Sequence, residues 1–284
     1  MSPAGASLPI ILVPVGTDED ALDACLAALD AGTPAGTRVW LADDAQAGPR
    51  GLALIQRWLG STRLQAAHTR RSQPLGESRH LEQALHACGD ADVAVLAPDA
   101  RPAPGWLQAL AACLAGDARI GTATPWCNAG ETAAWPRLGD IVSLPHSPLR
   151  LAEACSLQPT DAPELPSAVA HAVLLRGTAR VAAGGVDAAS YGAWYAALID
   201  LSLRMAGLGG RNVLCTTAFV LRERESTPMP GDLDALAVRW PNWHARLADC
   251  LMHDPFPEQR ARLAQALEML EQRPPQPDLF ATVP

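Results

Sequence analysis

The sequence predicts an α/β protein: a doubly wound, mostly parallel sheet with helices on both faces and a C-terminal helical extension. Three observations predict it. Short apolar runs alternate with helical patterns along the first half of the chain, as in βαβ units joined by right-handed crossovers. Asp43, Asp44 and Asp99 fall at the carboxyl ends of predicted strands, where such sheets receive ligands. Residues 226–284 carry helical patterns instead, so the expected division is a sheet domain over 1–225 and a helical extension over 226–284 packed on it.

The elements follow in order. "PIILVPV" (9–15) is a buried-strand run, and "DEDALDACLAALDAG" (18–32) opens on acids, repeats leucine at helical spacing and stops at Gly32. "RVWLADD" (38–44) is a strand ending in two acids, "GPRGLALIQRWLG" (48–60) a helix, and "TRLQAAHT" (62–69) a weaker strand. A helix over 76–89, a strand over 91–99, a helix over 104–117 and a strand over 119–126 complete the alternation. The stretch 127–165 is dense in Pro, Gly, Asp and Ser and reads as a long loop covering a site. Strand character returns at 168–177, a helix follows over 191–210, and "RNVLCTTAFVLRE" is a last strand. The tail has a helical pattern broken near Pro241, a second one from Pro257, and a frayed end, "RPPQPDLFATVP".

Composition narrows the function. The chain has 284 residues, 49% hydrophobic and 18% charged, with a formal net charge of −8. That length supports a sizeable core, and that charge disfavours nucleic acid or an anionic membrane as the main partner. All 22 basic residues are arginine. Without lysine there is no Walker-type phosphate loop, Schiff base or pyridoxal phosphate attachment, and any anion is left to arginine forks or backbone amides. The seven cysteines stand singly, with no C-x-x-C pair, as expected of reduced thiols. "MSPAGASLPIILVPVG" lacks a basic n-region and its apolar run is short, so no signal peptide or transmembrane segment is expected and the expected location is the cytoplasm.

The acids of "LADD" read equally as turn or cap residues and as acceptors for base imide or ribose hydroxyl groups. "PVGTDEDAL" has one glycine followed by acids, which would repel a pyrophosphate, so a dinucleotide-binding dehydrogenase is not expected.

The order of segments resembles family-2 glycosyltransferases with the GT-A fold. "PIILVPVGTDEDALDACLAALDAG" is similar to that family's opening strand and helix, "VWLADDAQAG" to its strand ending in "DDGS", and "QPLGESRHLEQAL" to its "NLGF" turn and helix. "VLAPDARPAPGWL" resembles its strand with "NSDTxVxPGWL", and "TATPWCNAGETAAWP" its "TPLSNNATIxSYP" stretch. "LPSAVAHAVLLRGTARVAAGGVD" resembles the segment ending in "GGFD". The resemblance implies a nucleotide-diphosphate sugar as donor, with a glycan, lipid-linked sugar or protein as acceptor. It also implies nucleotide contacts at Asp43, Asp44 and Asp99.

The same resemblance exposes four altered slots. Asp99 takes the place of the family's metal-binding aspartate, but its partner position is Ala97, with Pro98 between. One hard oxygen ligand is poor provision for a divalent cation, so Asp99 reads as the remnant of a metal site; no cofactor is expected and Mn or Mg is disfavoured. The paired acids of the family's "GYGEENDFCLRA" helix fall on Ala197 and Leu198 in "WYAALIDLSLRM", and neither accepts a proton. The family's metal-contacting histidine corresponds to Arg222, and Glu77 and Glu82 stand where the pattern has phenylalanine and asparagine.

The leading expectation is therefore a glycosyltransferase-like protein with a partly retained nucleotide-sugar cleft and weak or no transfer. One alternative is active, metal-independent transfer with Arg222, Arg224 and Arg101 neutralising the diphosphate. The other is a non-catalytic scaffold or regulatory partner of an active transferase. A replacement base would come from His146, His171, Asp200 or Glu131. Asp200 reads more readily as a helix residue paired with Arg204 at i+4, and the charges from Arg222 to Glu225 read equally as a solvated edge. Trp126, Trp135 and Trp194 are candidates for stacking on an acceptor sugar, or for sealing loops onto the core.

Overall fold

Four parallel strands, β1 (Ile10–Pro14), β2 (Arg38–Asp43), β3 (Gln65–Arg70) and β4 (Val93–Leu96), begin the fold. The computed structural model describes residues 8–130, 132–139, 141–224 and 227–272. Glu131, Glu225 and the tail from 273 lie outside the described residues. β5 (Arg101–Pro102), β6 (Ile120–Cys127), β7 (Ala172–Leu175) and β8 (Arg211–Leu221) complete one sheet in the order β3-β2-β1-β4-β7-β6-β8-β5. The chain winds outward from β1 to β2 and β3, then returns to place β4 on the other side of β1. That reversal opens a crevice at the carboxyl ends of β1, β2 and β4.

The second half of the sheet is mixed. β6 and β8 are parallel, whereas β7 runs antiparallel to both β4 and β6, and β5 antiparallel to β8. The chain leaves β6 at the crevice end and re-enters β7 from that same end, so β7 must run backwards. The Ala97 amide donating to the His171 carbonyl (3.0 Å) marks this re-entry. Part of the stretch expected to be loop is helical, α5 (Pro148–Ser156), started by Pro148 and by Ser147 accepting from the Arg150 amide (3.2 Å).

Helices cover both faces. α1 (Glu19–Gly32), α2 (Pro49–Leu59) and α4 (Trp106–Gly116) bury Leu22, Leu26, Ile55 and Leu110 against one face. α3 (Glu77–Ala87), α7 (Trp194–Gly207), α8 (Asp232–Arg239) and α9 (Trp243–His253) bury Leu81, Leu85, Leu201, Leu236 and Trp243 on the other. α6 (Gly177–Ala182) approaches the β4 entry so closely that a Cβ on Gly177 would lie 1.9 Å from the Asp90 carbonyl oxygen, which only glycine permits. α10 (Pro257–Glu271) presents Leu263, Leu267 and Leu270 at helical spacing, and they join Trp126, Phe219 and Phe256 in a third apolar cluster. Among the described residues no helix is long and apolar enough to cross a membrane.

Candidate functional site

The crevice holds a cleft of about 340 Å³ lined by Gly16, Asp44, Gly76, Glu77, Pro98 and Trp194, among others. Its size is at the lower end of small-molecule sites. The β1 end supplies Gly16, the β2 end Asp44, the start of α3 Glu77 and the start of α7 Trp194. Asp44 accepts the amides of Leu75 (2.8 Å) and Gly76 (2.9 Å), which pins the loop before α3 to the sheet end. Glu77 accepts from the Trp194 amide at 3.4 Å, and burial pushes its carboxyl above the ordinary range. The cleft therefore offers carboxylate acceptors to N–H or hydroxyl donors, with an indole on its rim.

The predicted nucleotide acids separate. Asp44 alone lines the cleft. Asp43 is fully buried and builds the turn after β2, accepting the amides of Gln46 (2.7 Å) and Ala47 (3.2 Å) and the Arg70 guanidinium. Asp99 turns towards β8, where both carboxylate oxygens accept from Arg222 Nε at 2.9 and 3.0 Å. Asn128 locks this pairing in place, receiving the Arg222 amide on Oδ1 (2.7 Å) and donating Nδ2 to the Arg222 carbonyl (2.8 Å).

Ala97, the partner slot, lies in the apolar core and brings no donor. Among the described residues no group of three His, Cys, Asp or Glu is placed to hold a metal. A carboxylate engaged by a guanidinium, beside alanine and proline, does not fit the oxygen-rich shell that Mn²⁺ or Mg²⁺ takes.

The other arginines of the expected clamp are also paired. Arg224 donates to Asp18, and Arg101 lies 3.2 Å from Glu223. Arg222 is buried in its pair, whereas Arg224 and Arg101 hold exposed ones, and exposed pairs exchange partners at little cost.

The base candidates divide similarly. Ala197 and Leu198 are fully buried on the core side of α7. The helix face that meets a small cavity beside Arg222 consists of Tyr195 and Ile199, a pair at i and i+4. Sequence reasoning passed over Tyr195; its spacing from Ile199 was the available signal. Asp200 is fully buried away from this cavity, held by Arg204 Nε (2.8 Å), Trp240 Nε1 (2.9 Å) and Tyr191 Oη (3.2 Å). The i+4 pairing with Arg204 is present. His146 lies at the α10 contact, 3.1 Å from Glu271. The acceptor expectation needs correction for two tryptophans. Trp126 and Trp135 are buried against Phe256 and Phe219 respectively, so neither ring face is open to a sugar.

His171 does line the cavity beside Arg222, with Nε2 3.1 Å from the Pro125 carbonyl. Burial first, and then the Arg222 charge, lower its pKa to about 3, so it is neutral at physiological pH and a weak proton acceptor. The unfolded chain binds this proton near the ordinary histidine value of 6.5. Between that pH and about 3 the unfolded state holds a proton that the native state lacks, so stability falls as the pH drops through this window. In His171→Gln that part of the slope is expected to vanish in urea titrations at pH 7 and pH 5. His80, also lowered by burial, contributes equally to both proteins and cancels.

A sheet of this order with its cleft at the β1/β4 reversal is a GT-A-like fold. No family model and no curated protein matches the chain by sequence. Among solved structures it is similar to GalNAc-T7 with UDP, GalNAc and Mn²⁺ (TM-score 0.61, 14% identity, covering 93% of this chain and 55% of that one). It is also similar to the mannosyltransferase PcManGT from Pyrobaculum calidifontis with GDP-Man and Mn²⁺ (TM-score 0.57, 17% identity, 94% and 76%). A third is S. aureus TarS 1-349 with UDP-GlcNAc (TM-score 0.55, 12% identity, 91% and 71%). The chain thus spans little more than half the length of the first of these.

Proposed function

We propose that the chain is a glycosyltransferase-like protein that binds a nucleoside diphosphate or its sugar ester without a metal ion and transfers sugar weakly or not at all. The carrying observation is the buried Asp99–Arg222 pair, in which a guanidinium neutralises the carboxylate a cation would otherwise use. Support comes also from Ala197 and Leu198, buried without a proton-accepting group. The cleft of about 340 Å³ keeps acceptors for a nucleoside at Asp44 and Glu77. This reading assigns the protein to the cytoplasm, where nucleotide sugars are available. A second reading, metal-independent transfer, is favoured by the exposed pairs of Arg224 and Arg101, which can release a guanidinium to a diphosphate.

Calorimetric titration with uridine-, guanosine- and thymidine-diphosphate sugars, in manganese and in chelator, tests the proposal. Micromolar binding of one donor, equal in both conditions and without release of free nucleoside diphosphate, is expected. Binding that requires manganese, or no binding of any donor, overturns it. Turnover in chelator that is lost in Arg224→Ala establishes the second reading instead.

A further inference from the structure

On the far side of the sheet from α7, Cys113 of α4 and Cys215 of β8 line a cavity of about 410 Å³ together with Arg211 and Thr217. This cavity shares no lining residue with the cleft. Cys113 is half-buried and Cys215 is buried, and the two thiols are close enough to act on each other electrostatically. The ladder between β6 and β8 explains the surroundings of Cys215. Pro125 pairs with Cys215, but the next pair is Trp126 with Phe219, so Thr216, Thr217 and Ala218 bulge from the strand. The bulge takes Thr217 and Ala218 out of the ladder, and Thr217 Oγ1 lies 3.4 Å from the Cys215 sulfur. Thr216 anchors the bulge, donating its hydroxyl to the carbonyls of Pro159 (2.8 Å) and Asp161 (3.1 Å).

These neighbours act together on the thiol. Cys113 beside it, and then Thr217, hold Cys215 below the ordinary thiol range against the opposing effect of burial. Cys25, buried without such neighbours, is pushed up to about 12, and so is Cys127, which has the Ala129 amide on its sulfur but no second thiol beside it. Among the described residues Cys215 is the one cysteine shifted downward. A sulfur beside a hydroxyl, facing a cavity that a second thiol also lines, has what a reactive cysteine and its resolving partner require.

We propose that Cys113 and Cys215 form a redox-active dithiol, a modification site for small hydroperoxides that closes to a disulfide between α4 and β8. The Cys215 thiolate attacks the terminal peroxide oxygen, the O–O bond breaks, and the leaving oxygen departs as water or an alcohol with the proton the thiol supplied. The Cys215 sulfenic acid is then attacked by Cys113, the S–S bond forms, and the sulfenic oxygen leaves as water with the Cys113 proton. Two thiols are oxidised by two electrons and one peroxide is reduced.

The test treats the intact protein with hydrogen peroxide, then counts thiols after denaturation and maps disulfides by peptide mass spectrometry. Of the seven thiols, two are expected to disappear, with a Cys113–Cys215 peptide found and dithiothreitol restoring all of them. In Cys113→Ser no disulfide forms and dimedone adds to Cys215, an arm that needs only this conservative change. Retention of every thiol, or a cross-link between other cysteines, overturns the proposal.

Discussion

Asp200→Ala is expected to lose about 3–5 kcal/mol of stability in urea denaturation, the cost of stranding buried charge when one partner is removed. The carboxylate is fully buried and receives Arg204 from its own helix, Tyr191 from the segment before α7 and the Trp240 indole after α8, with Arg239 Nε at 3.3 Å. Arg204 in turn donates to the carbonyls of Ala183 and Gly185 beyond α6. One carboxylate therefore joins α6, α7 and α8, and its removal orphans donors from several elements at once. Against a typical stability of about 5–15 kcal/mol this is a large fraction. Asp200→Asn keeps an acceptor and is expected to lose less. Asp200→Ala/Arg204→Leu, which removes the stranded guanidinium as well, is expected to recover part of the loss. A base would behave otherwise: Asp200→Asn would abolish turnover with stability nearly unchanged.

Much of this was legible in the sequence, and the reasons are local. β1, β2, β4 and the helices between them were readable because each carries an apolar run or a 3.6-residue period bounded by signals such as Asp18 and Gly32, whereas β3, QAAHTR, read only as a weaker strand. The antiparallel β7 was not readable, since strand direction depends on where the long segment after β6 re-enters the sheet. α5 hid within a run rich in turn residues, although Ser147-Pro148 was a usable start signal. At the site, the residue types at Asp99 and Arg222 were visible but their meeting was not, because they lie 123 positions apart. Asp43 and Asp44 were indistinguishable until the loop before α3 showed which of them faces the cleft. Trp126 and Trp135 misled because an indole suits a sugar platform and a sealed core equally, and α10 decided for the core.

The Asp99–Arg222 pair yields the other large effect. Asp99→Leu and Arg222→Met are each expected to lose about 3–5 kcal/mol, since either leaves a mostly buried charge without its partner. The double variant is expected to lose far less than the sum of the two single losses. Replacing both members of a buried pair with apolar groups of similar volume is often nearly neutral, and the residues are in contact, so a double-mutant cycle reports their coupling directly. The Asn128 bonds to the Arg222 backbone persist in all three proteins and keep β8 in register. Manganese supplies the second readout. A cation bound to the native state raises the melting temperature in proportion to its occupancy. Wild type is expected to melt at the same temperature in millimolar MnCl₂ and in chelator, because Asp99 already accepts Arg222 through both oxygens. A manganese-dependent rise in wild type that disappears in Asp99→Leu would mean that the guanidinium gives way to a cation, and that the pair guards a metal site rather than replacing one.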